Sequence, residues 1–191
     1  MVDETGIKAA TTGVADAPAA EVPPRILAAT VEGAALVAVA GRATFRLVPA
    51  FRQALQAARL TSPSVLLVDL SGTTAVDSSF MGLIASTSIA ASKEGAVPTR
   101  FVNIPPRILA LLRGLGVDRL MDIVPATTDA DLSALVAALA PVEAAPEAGD
   151  ALTATLLDTH ETLSRLSPEN LERFRSVLEL LRAEQGRSAP P

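Results

Sequence analysis

The side chains in this sequence best suited to chemistry are the carboxylates Asp69 and Asp77, the adjacent hydroxyls Ser78 and Ser79, and the only histidine, His160. A serine nucleophile needs a strand-to-helix elbow written Gly-x-Ser-x-Gly, with a histidine behind it. Ser78 follows an apolar run and opens a helical one, but its neighbours are Val76–Asp77 and Ser79–Phe80, without those glycines. His160 lies far along the chain between Thr159 and Glu161 and reads as an ordinary helix residue. Asp69 and Asp77 taken as a metal pair lack a third ligand, so no metal is expected. The absence of cysteine removes disulfides, thiolate ligands and thiol catalysis. No Gly-x-Gly-x-x-Gly follows a strand and no Gly-x4-Gly-Lys-Ser/Thr occurs, so no cofactor is expected. The expectation is a protein that is not an enzyme; a hydrolase using Ser78 is the reading that a fluorophosphonate probe would test.

What Ser78 offers instead is a hydroxyl at a helix start beside a carboxylate, where backbone N–H groups have no partner within the helix. One reading is a helix cap. The other is a switch: phosphate would add about −1.5 to −2 charges at pH 7. A helix N-terminus stabilises such an anion by roughly 0.3–1 kcal/mol, while Asp77 repels it. Binding would then change with little change of fold.

Composition narrows the partners. Formal net charge is −5, from 21 acidic and 16 basic residues, and aromatic residues make up 3%, with neither Trp nor Tyr. Base stacking and phosphate tracking are both poorly served, so no nucleic acid is expected. No stretch approaches the roughly 20 apolar residues of a membrane span, and the N-terminus carries Asp3 and Glu4 in place of a signal sequence. A cytoplasmic protein without a membrane partner is the expectation.

The elements that must position Asp77–Ser78 follow from periodicity. Residues 1–24 lack any and read as a disordered arm. Ile26–Val31 and Ala34–Ala40 flank Glu32–Gly33 as a hairpin, and Gly41–Phe45 breaks the second strand. Val48–Leu60 has helical spacing through Phe51, Leu55 and Ala58. Ser64–Leu70 is a central strand, followed by a helix from Ser79 to Lys93, a strand over Thr99–Asn103 and a helix begun by Pro105–Pro106. Leu120–Val124 and Thr128–Leu139 supply a last strand and helix. This alternation predicts an α/β domain over 25–140, with a mixed, mostly parallel sheet and flanking helices. Residues 141–150 read as a linker. Beyond them, 151–185 form a two-helix extension with stripes Leu152, Leu156, Leu163, Leu166 and Leu171, Phe174, Leu178, Leu181. So short a hairpin must pack on the main domain, a second copy or a partner.

At Asp77–Ser78–Ser79–Phe80–Met81–Gly82, and again at Asn103–Ile104–Pro105–Pro106–Arg107–Ile108, the sequence resembles the STAS domain of bacterial anti-sigma factor antagonists. The resemblance covers roughly residues 25–140 and implies a protein-interaction module for a partner that is both serine kinase and anti-sigma factor. It also implies phosphorylation of the serine after the Asp, Ser78 here, and reversal by a phosphatase. Asp77, Ser79, Phe80, Met81, Arg42, Thr44 and Phe45 are the implied partner contacts. Phe80 stands where the family often has glycine, and Thr44 where it commonly has aspartate. The expected function is a phosphorylation-controlled antagonist that frees a sigma factor by partner switching. The alternative is an unphosphorylated STAS scaffold that docks a signalling complex or forms a homodimer through its C-terminal helices.

Overall fold

The computed structural model describes residues 22–125 and 130–188, which leaves most of the N-terminal arm and the start of the helix expected from Thr128 outside the described residues. Strands β1 (Arg25–Val31) and β2 (Ala34–Ala43) form an antiparallel hairpin. Glu32 and Gly33, at φ 46° and 81°, make the two-residue turn whose positive φ values suit the twist of the strands. Helix α1 (Val48–Leu60) follows, then β3 (Val65–Asp69), β4 (Thr73–Val76), α2 (Ser78–Ala91), β5 (Thr99–Val102), α3 (Pro106–Gly114) and β6 (Asp122–Ile123). The chain ends with α4 (Ala130–Ala137), β7 (Ala140–Val142), α5 (Gly149–Ser164) and α6 (Pro168–Ser188).

The sheet runs in the order β6-β5-β3-β2-β1-β7, with β4 paired to β2 off this path. Pairs β2–β3, β2–β4, β3–β5 and β5–β6 are parallel, whereas β1 is antiparallel to both β2 and β7. The mixed, mostly parallel α/β architecture is the one the alternating pattern predicts. On one face Val37, Val39, Val68 and Phe101 meet Phe51, Phe80 and Ile84 in the main core. On the other, Ala29 and Leu36 meet Leu135 of α4. Leu36 and Val37 are both fully buried, as a central strand covered on two faces requires.

Three local readings are corrected. Gly41 does not end β2: the strand continues to Ala43 through a register shift at Gly41/Arg42. Gly41 takes φ 72°, and a Cβ there would sit 2.5 Å from the Val22 carbonyl oxygen, so glycine lets the strand kink against the incoming chain. The linker segment 141–150 begins inside β7, where Val142 pairs with Ile26. The stretch Thr73–Val76, unassigned from sequence, is a strand that borrows the overhang of β2 beyond β3.

The two C-terminal helices pack within the same chain. Phe174, Leu178 and Leu181 of α6 are buried as their spacing predicts, but Leu171 is 50% exposed and Asn170, at 2%, takes the inward position. Its side-chain amide donates to the carbonyls of Leu115 and Leu163, tying the hairpin to the domain. On α5 Leu163 is the one member of the expected leucine stripe that is fully buried; Leu152, Leu156 and Leu166 are half-buried, and Thr155, Thr159, His160, Thr162 and Ser164 take the other inward positions.

Candidate functional site

The strand that delivers Asp77–Ser78 is short and lies along the far end of β2. The Gly41 N–H donates to the Gly72 carbonyl at 2.9 Å, the Thr73 hydroxyl to Val39 at 3.1 Å, and the Asp77 N–H to Ala43 at 3.1 Å. These bonds fix the carboxyl ends of β2 and β4 side by side, so the loop after β2 and the start of α2 are neighbours.

Asp77 joins them. It is the N-cap of α2: its Oδ1 accepts from the Phe80 N–H at 2.8 Å. Its Oδ2 accepts from the Phe45 N–H at 2.8 Å, across to the short 3-10 helix of Phe45–Leu47. Both oxygens are therefore committed to backbone donors, and the cap reading made for the serines belongs to Asp77. Asp69 is occupied elsewhere, with its carboxylate accepting from the Ser71 N–H and hydroxyl at 2.8 and 3.1 Å.

Freed from capping, the Ser78 hydroxyl lies 2.9 Å from Nε2 of His160 on α5. Nδ1 of that ring is 2.7 Å from the Leu156 carbonyl, which can only accept, so Nδ1 carries a proton and Nε2 is free to accept from Ser78. The ring is 5% exposed and meets Phe174 edge-on, with centroids 5.4 Å apart. The reading of His160 as an ordinary helix residue is thus corrected: it is the partner of Ser78. Its signal was its being the single histidine; the pairing with Ser78 arises only from folding.

A serine, an imidazole and a carbonyl in line have the outline of a nucleophile, a base and its orienting group. Clefts of about 370–450 Å³ elsewhere on the molecule are lined by neither Ser78 nor His160.

The remaining candidates divide by burial. Arg42 is exposed, Thr44 half-buried, and Phe45 is 36% exposed beneath the Arg46 guanidinium, 5.9 Å from its ring centroid. These three lie on the surface beside Asp77. Ser79, Phe80 and Met81, also expected among the partner contacts, are 5%, 0% and 9% exposed and face inward. Phe80, the ring in place of glycine, packs on Phe51 with centroids 5.1 Å apart, and is core.

Helix α2 is covered from its other side by α5. A Cβ on Gly82 would stand 2.4 Å from the Thr159 carbonyl oxygen, so the absence of a side chain sets how closely the helices approach. From α1, Arg52 donates to the Thr155 hydroxyl at 2.8 Å and pairs with Asp158 at 3.3 Å.

A small mixed-sheet α/β domain, with an aspartate-capped helix at the carboxyl ends of two parallel strands, is the class these features define. The family model described as Mlab, STAS domain matches residues 27–125. The chain belongs to the STAS-domain family. Among solved structures it is similar to an anti-sigma factor antagonist from Mycobacterium paratuberculosis, at 23% identity and TM-score 0.46, over 60% of this chain and 94% of that one. It is also similar to SLC26A9, at 20% identity and TM-score 0.45, over 58% of this chain and 24% of that one. The murine Slc26a9 transporter in its inward-facing state matches at 21% identity and TM-score 0.45, over 58% of this chain and 22% of that one. No curated protein sequence matches the chain. Among the described residues no helix is long and apolar enough to cross a membrane.

Proposed function

We propose that the chain is a non-enzymatic interaction module of the anti-sigma factor antagonist type, controlled by phosphorylation of Ser78. The observation that carries this reading is the Asp77–Ser78 step, held at the edge of a STAS fold with Asp77 taking over the capping of α2. The serine hydroxyl is thereby freed from capping and bonds to His160 instead. A serine-kinase anti-sigma factor would transfer the γ-phosphoryl group of ATP to Ser78 Oγ: the new P–O bond forms as the bond to ADP breaks, and the hydroxyl proton passes to the kinase's base. A phosphatase would reverse it. Arg42, Thr44 and Phe45 supply the exposed part of the docking surface, and Asp77 its frame.

Incubation with the serine-kinase anti-sigma factors of the same genome and ATP, followed by mass-spectrometric mapping, tests the proposal. Phosphate on Ser78, absent in Ser78→Ala, is the expected result. No modification by any of them removes the switch.

A second reading, a scaffold acting through its C-terminal helices, is favoured by Val177 and Leu180, adjacent on α6 and 38% and 62% exposed. A solution mass of two chains, reduced to one by Val177→Glu with Leu180→Glu, would support it.

A further inference from the structure

We infer that the α5–α6 hairpin is a built-in cover over the phosphorylation site, and that phosphate on Ser78 and a docked hairpin exclude each other. The inference rests on the proposed role of Ser78 and supplies its regulation.

Ser78 is half-buried because α5 lies over it, and its hydroxyl is used up by His160. A kinase must place ATP in line with that oxygen, on ground the imidazole occupies. Esterification removes the hydroxyl proton, so Oγ can no longer donate to Nε2, and it adds three oxygens at a contact 2.9 Å wide. One turn along α2, the interface has no slack to absorb them, since even a methyl group on Gly82 would meet the Thr159 backbone. Asp77, committed to two backbone donors, cannot turn to accommodate the new charge and repels it.

The cover is anchored at several other points. Leu163 is fully buried in the main core, Phe174 packs against it, Arg52 holds Thr155 and Asp158, and Asn170 bridges to Leu115. Ser78 alone therefore does not hold the hairpin in place, and opening is a minority state. If that state is populated at about 0.1–10%, modification is slowed about 10- to 1,000-fold relative to an uncovered serine. Once the phosphate is on, the open state becomes the favoured one.

The full chain with phosphoserine incorporated at position 78 during synthesis tests this without any kinase. Amides of residues 151–164 are expected to exchange with deuterium at least about tenfold faster than in the unmodified chain. Exchange that is slower, unchanged or raised by less than that overturns the inference. Because the chain has no cysteine, Ser78→Cys gives an independent reading in the folded protein. Its thiol is expected to react with a disulfide reagent at least about tenfold slower than that of Ser92→Cys, at an exposed position; equal rates overturn the cover. A hairpin that opens on phosphorylation in a chain that no kinase labels would leave the cover standing and remove the proposed function. Kinase labelling with an unmoved hairpin would do the reverse.

Discussion

Gly82→Ala sets two opposing effects against each other on α2, and the docking of α5 decides the sign. In an unencumbered helix interior the change is favourable by about 0.8–1.0 kcal/mol, because glycine loses more backbone freedom on folding than alanine. Here the new Cβ lies 2.4 Å from the Thr159 carbonyl oxygen, 2.8 Å from the carbonyl carbon and 2.9 Å from the Thr159 Cβ. Backbone atoms cannot rotate away, so α5 has to retreat by about 1 Å to restore ordinary contact. Overpacking of this kind costs about 1–3 kcal/mol. The retreat also lengthens the Ser78–His160 hydrogen bond, worth about 0.5–1.5 kcal/mol. The balance is a net destabilisation of about 0.5–4 kcal/mol, and a melting temperature lowered by about 2–4 °C for each of these. Equilibrium urea unfolding of the full chain measures it, and hydrogen exchange should place the loosening on residues 151–164. A variant stabilised by about 1 kcal/mol, as an exposed helix would be, refutes the close approach of α5 and with it the covered site.

Three other substitutions test the frame around Ser78 and the attachment of the hairpin. Asp77→Ala removes the acceptor of both Phe80 and Phe45 N–H groups, and is expected to cost about 1–3 kcal/mol in urea unfolding; Asp77→Asn should recover part of it. Asn170→Ala leaves the Leu115 and Leu163 carbonyls without their buried donor, so a loss of about 1–3 kcal/mol is expected, with faster exchange in α6. Glu169 is held below its usual carboxylate pKa of 4.5, first by its own backbone N–H and then by the Ser167 hydroxyl. A carboxylate depressed in the folded state adds stability above its unfolded pKa and loses it as the pH falls through the folded one. Wild type should therefore lose more stability than Glu169→Gln on acidification below pH 4.5, as followed by circular dichroism.

The α/β alternation, the helix over Val48–Leu60, the Glu32–Gly33 hairpin and the place of Asp77–Ser78 at a helix start are legible in the sequence. Each rests on local chemistry: apolar spacing, positive-φ turn residues, prolines at helix starts. The sequence also held an unused clue. From Ser78 to Ala91 there is no charged residue, and a helix without a polar face has to be covered all round. Tertiary structure alone decided what covers it. The capping carboxylate, the short strand along the overhang of β2 and the inward turn of Phe80 depend on neighbours distant in sequence. So does the meeting of Ser78 with His160, which no periodicity could foretell, because it depends on how closely Gly82 lets two helices approach.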